Sequence, residues 1–220
     1  MNKNKTISLT AITIFYIWLS TWAADLFSKV LSNHSTSLVM LLSQFIVVIL
    51  MLILIRKSLL KSIQQIKKHK KFLFLPIVTV IFNLLFQILY QSLINVPESA
   101  NQSENLHNLT QSPWEISILF VVVTVVTGPI AEEIIFQYLI QENLFRLCKP
   151  INKHLAEIIS IIVATLLFMG FHFLNESNFS WLAFFGYGYL IFSAIVYSFS
   201  RHNLSVAHIL FSLIALISII

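Results

Sequence analysis

The sequence predicts an all-α membrane protein, a polytopic transmembrane helical bundle of about seven spans. Three observations carry that expectation. Of 220 residues, 57% are hydrophobic and only 10% charged, and the mean hydropathy is +0.84, values foreign to a water-soluble globule. The apolar residues come in long uninterrupted runs rather than in alternation, which argues against a lipid-embedded β-barrel. Four Gly and five Pro supply too little turn material for many short strands.

Apolar runs of about 20 residues, enough to cross a hydrocarbon core roughly 30 Å thick, fall at 7–27, 38–55, 72–95, 114–140, 155–174, 181–199 and 203–220. The first follows Lys3 and Lys5, but Trp18, Trp22 and Asp25 stand where a signal peptide has small residues, so it reads as a retained span. After the second comes RKSLLKSIQQIKKHKK at 56–71, with Leu59, Leu60, Ile63 and Ile66 at helical spacing. It fits an interfacial helix on anionic headgroups or a basic stop-transfer loop equally well. Residues 96–113 form a polar connector without Lys or Arg. The expected organisation is a single membrane domain over 1–220, with three generic spans in 1–95 and a core at 114–220 that carries the chemistry.

With the amino terminus in the cytoplasm, every Lys and Arg except Lys29 lies inside, and the reverse orientation puts nearly all of them on the wrong face. The net charge of +5 therefore describes topology rather than a nucleic-acid partner. A single cysteine, Cys148, excludes an internal disulfide and a multi-thiolate metal site. The abundance of Ile, Lys, Asn and Phe suggests an AT-rich bacterial genome, hence a bacterial cell membrane.

Ionisable side chains inside spans locate a site, because each costs on the order of 2.5 kcal/mol or more unless it faces a bundle interior or a wet cavity. Glu132 and Glu133, in GPIAEEIIFQYLIQENLF, are the costliest pair, and Gly128 and Pro129 just before them suggest a helix break that tolerates water. Adjacent helical residues point about 100° apart, so the two acids serve different tasks. Gln137, four residues after Glu133, can donate its amide to that carboxylate, which leaves Glu132 for the chemistry; the reverse assignment stays open. His172, with Phe168 one turn before it, and His208, with Ser212 one turn after it, come from two further spans. Two acids and two imidazoles from three spans point to a shared cavity rather than to scattered structural bonds. The depths match poorly: His172 falls near the outer end of its span and Glu132 well inward of Trp114, so the span limits stay open.

Glu132 and Glu133 in EEIIFQ, FMGFH at 168–172 and HILFS at 208–212 resemble, in order and spacing, the EExxxR, FxxxH and HxxxN motifs of the CPBP family, also called ABI or CAAX-protease-like. The resemblance covers roughly Gly128 to Ser212. It implies an intramembrane protease in which Glu132 activates a water held with His172, while His208 and Ser212 stabilise the oxyanion. Glu133, Gln137 and Phe168 are supporting residues, although the family's paired glutamates put Glu133 among the catalytic candidates too. The implied substrate is a peptide or small protein in the bilayer, with bacteriocin self-immunity or peptide processing as the setting. No cofactor is expected, and zinc on Glu132, His172 and His208 is the alternative, with HExxH absent. Where the family has Arg and Asn this chain has Gln137 and Ser212, which turns an ion pair into a neutral hydrogen bond and shortens a donor. Those changes keep alive a non-catalytic immunity or scaffold protein; a proton-coupled carrier ranks last for want of a repeated half.

Overall fold

A computed structural model describes residues 3–68, 74–94, 110–174 and 179–200. All regular structure in these segments is helical. The helices are α1 (Lys3–Thr21), α2 (Ala23–Phe27), α3 (Asn33–Lys68), α4 (Phe74–Leu93), α5 (Trp114–Cys148), α6 (Lys153–Phe171), α7 (Trp181–Gly186) and, after a 3-10 turn at Tyr187–Tyr189, α8 (Leu190–Ser200). Four helical stretches among the described residues are long and apolar enough to cross a membrane: Asn33–Leu60, Trp114–Cys148, Lys153–Phe171 and Trp181–Ser198. A shorter apolar helix covers Ile77–Leu93. The chain is a multi-pass, all-α membrane protein; the span expected at 203–220 lies outside the described residues.

Two expected boundaries move. The first apolar run is not one helix but breaks at Trp22 between α1 and α2. The basic segment after Ile55 continues α3 without interruption to Lys68 rather than forming a separate element. Leu, Lys, Ser and Gln extend a helix readily, and no Gly or Pro intervenes, so the end of the apolar run is not the end of the helix. At 36 residues α3 is about 54 Å long, well beyond the hydrocarbon thickness.

The central helix is α5, half of whose apolar window is buried, against a third or less for the other long helices. It packs against α1, α3, α6 and α8. Ala131, Ile134, Ile135, Phe136 and Leu139 join Leu9, Leu19, Val48, Met51 and Leu190 in one core. The outward sides of the other helices carry exposed apolar stripes, such as Ile81, Leu85 and Ile88 on α4, the pattern of a surface solvated by lipid rather than water. Between α5 and α6 the chain reverses in Lys149–Asn152, where Pro150 cannot continue the helix and Asn152 Oδ1 accepts from the Leu155 amide at 3.0 Å to cap α6. The result is an antiparallel hairpin.

Helix α5 is not uniform. It widens to π geometry at Val123–Thr127 and again at Glu133–Gln141, on either side of Gly128–Glu132. The helix break expected at Gly128 and Pro129 is therefore a widening, not an interruption. A proline ring inside an α-helix collides with the carbonyl four residues back, and the wider turn before Pro129 makes room for it. The Gly128 amide donates to the Val123 carbonyl, which also accepts from Thr127 Oγ1 at 3.2 Å. A Cβ at position 128 would lie 3.0 Å from that carbonyl oxygen, so any larger residue would have to push this backbone aside.

Candidate functional site in the α5–α6 hairpin

The two carboxylates diverge as adjacent helical positions must. Glu133 is 2% exposed and points into the bundle, where the buried phenol of Tyr197 on α8 lies within its electrostatic reach. Glu132 is half-buried, within electrostatic reach of the buried phenols Tyr16 of α1 and Tyr189 of the 3-10 turn. Gln137, one turn after Glu133, is buried at 4% exposure on the same helix. A hydrogen bond of 2.8 Å between Ser58 and Tyr138 hydroxyls ties this part of α5 to α3.

The register between α5 and α6 is set by aromatic stacking. Phe136 and Phe168 lie nearly parallel, 7° apart, with ring centroids at 4.4 Å, and both are buried. One turn back from Phe136 is Glu132; one turn on from Phe168 is His172. Because the helices run antiparallel, those two turns stand at the same level. The depth mismatch in the sequence reading came from measuring Glu132 from Trp114. Helix α5 is 35 residues long and overshoots α6 at that end.

His172 caps α6, and its Nδ1 lies 3.1 Å from the Phe168 carbonyl oxygen. A carbonyl only accepts, so Nδ1 is the donor in this contact, and in the neutral ring Nε2 is then the acceptor nitrogen. The Tyr187 ring lies 4.5 Å from the imidazole and Phe168 5.4 Å from it, which holds the ring plane between two aromatic groups. Helix α4 supports that turn. The Asn83 amide, oriented to donate, reaches the carbonyls of Thr79 and Tyr189 at 3.2 and 3.1 Å, and Tyr90 donates to the Leu182 carbonyl at 2.7 Å. Gly170 has nothing within 4 Å of where a Cβ would sit.

Of the expected site residues, Glu132, Glu133, Gln137, Phe168 and His172 share the α5–α6 hairpin, while His208 and Ser212 lie outside the described residues. Tyr16, Tyr187 and Tyr189 were missed. Nothing in the sequence signalled Tyr16; for Tyr187 and Tyr189 only the Gly-Tyr-Gly-Tyr run at 186–189 did, with glycines where α4 comes close and Phe86 and Tyr90 carbons at 3.4 Å from the positions a Cβ would take. Among the described residues no three His, Cys, Asp or Glu gather to hold a metal ion. Glu132 and His172 are donor types zinc accepts, but the third proposed ligand, His208, is not described.

The motif residues, including the two undescribed ones, fall inside residues 113–216, which match the family model described as type II CAAX prenyl endopeptidase Rce1-like. This part of the chain is similar to that family. No curated protein and no solved structure matches the chain. The match begins one residue before α5 and extends the similarity beyond the Gly128–Ser212 stretch that carries the motifs. It supports an intramembrane peptidase in general terms, acting on a peptide within the bilayer.

Proposed function

We propose that this chain is an intramembrane endopeptidase that hydrolyses a peptide bond with water activated by Glu132. The observation that carries the reading is the CAAX-protease-like match at 113–216, together with the level shared by Glu132 and His172. The chemistry follows from the two acceptors. One hydrogen of a water bonds to the Glu132 carboxylate and the other to His172 Nε2, so the oxygen lone pair points away from both, toward a substrate carbonyl. Glu132 takes the proton as the oxygen attacks. His208, with Ser212, donates to the developing oxyanion, and the Glu132 proton passes to the leaving amine. Glu133 and Gln137, both buried, hold the helix face rather than touch substrate.

The substrate is a peptide or small membrane protein, and the setting is bacteriocin self-immunity or peptide processing in a bacterial membrane. Reconstitution in liposomes with membrane-active peptides tests this: a new peptide terminus identified by mass spectrometry is the expected result. A second reading, immunity by binding alone, is favoured by Gln137, which lacks the guanidinium fork of the family motif. Protection of cells that survives Glu132→Ala, with no cleavage product from the parent protein, selects that reading.

The orientation belongs to the same proposal. Cys148, partly exposed at the end of α5, is then on the cytoplasmic face. A membrane-impermeant maleimide is expected to label it only after cells are permeabilised. Labelling of intact cells reverses the topology.

A further inference from the structure

Beneath the Phe136–Phe168 stack, on the side away from His172, lies a small, partly open pocket between α5, α6 and α8, with Gln137, Gln141 and Thr165 as its polar lining. Two atoms there have no hydrogen-bond partner: Gln141 Oε1 and Thr165 Oγ1, on side chains 2% and 6% exposed. Neither orphan has a local remedy in use. The Gln141 amide nitrogen already donates to the Ala194 carbonyl at 2.8 Å, which fixes Oε1 as the end left over. Thr21 bonds back along its helix to Ile17 at 2.7 Å and Thr127 to Val123 at 3.2 Å, but Thr165, like Thr13 and Thr36, does not.

The two orphans are chemically complementary to one small ligand. Oε1 only accepts, whereas a hydroxyl can donate. Leaving both unsatisfied at bilayer depth costs about 1–3 kcal/mol each. The pocket has room for a single water and little more. We propose that it is an internal hydration site, occupied by one water that accepts from Thr165 Oγ1 and donates to Gln141 Oε1, with the Gln137 side chain as a third polar neighbour. The site bridges the π segment of α5 to α6, and through Gln141 to α8. It does not depend on the chain being a protease.

Thr165→Val, nearly isosteric, tests the sign. If a water is bound, the variant deprives it of a partner and the melting temperature of the purified full-length protein falls. If the pocket is dry, the variant removes an orphaned hydroxyl and the melting temperature rises or stays level, which overturns the proposal. Hydroxyl-radical footprinting supplies an independent reading, because a bound water generates radicals next to Phe136 and Phe168. Both are expected to be modified several-fold faster than Phe120 and Phe145, which are buried away from the pocket, and Thr165→Val is expected to abolish the excess. Equal modification of all four in the parent protein overturns the proposal whatever the melting temperature does.

Discussion

Glu132→Gln is expected to lower peptide cleavage by about 10²–10⁴-fold, the range for loss of a positioned general base, equivalent to about 3–5 kcal/mol of transition-state stabilisation. The substitution keeps the size and shape of a half-buried side chain and removes only its basicity. An amide still hydrogen-bonds water, so substrate and water are held much as before and the loss falls on kcat rather than on KM. The protein should remain folded, because the half-buried Glu132 side chain is replaced by one of equal volume. Turnover in liposomes, with SDS titration to confirm the fold, reads both effects. Unchanged kcat in a folded variant removes Glu132 from the chemistry.

The sequence singles out these acids as candidates for a physical reason. Carboxylates are so costly in hydrocarbon that two in an apolar run announce a cavity before any coordinates exist. The same argument found His172, and the aromatic Phe168 one turn before it. What the sequence hid is relational. In a chain with 19 Phe, nothing in the sequence distinguishes the ring that stacks on its partner across the hairpin from those facing lipid. Tyr16 reaches the neighbourhood of Glu132 only because α1 packs against α5, and Tyr187 meets His172 only because α4 holds the 3-10 turn in place.

The fold divides in the same way. Hydropathy marks where a helix can contact lipid, and α5, α6 and the Trp181–Ser198 stretch follow it closely. It is silent on where the helix ends in water, which is why α3 runs past Arg56 and Lys57 to Lys68. It is equally silent on helix width. Gly128 and Pro129 signal a local disturbance, but whether the chain breaks, kinks or widens depends on the neighbours. In α5 the close packing of α1, α3, α6 and α8 favours a widened helix that keeps its backbone bonded over an interruption that would expose peptide groups.

Phe168→Ala should cost more stability than most single substitutions in this protein, and the membrane makes the size of the loss informative. In water a buried phenylalanine contributes both transfer from solvent and packing. Here the unfolded alternative is solvated by lipid as apolar as the interior, so the transfer contribution largely cancels. Packing remains. Removing a phenyl ring opens up to ~100 Å³, which at ~24 cal/mol per Å³ of residual cavity is about 2.4 kcal/mol. Loss of the Phe136 stack, with its centroid separation of 4.4 Å, adds about 0.5–1.5 kcal/mol. SDS titration should therefore show a loss of about 3 kcal/mol. Activity should fall further than the folded fraction explains, because this stack sets the level at which Glu132 faces His172, whose Nδ1 bonds to the carbonyl of residue 168 itself. A variant that loses stability yet keeps full turnover per folded molecule would show that the register of α5 on α6 is held elsewhere. The shared level of the acid and the imidazole would then lose its structural basis.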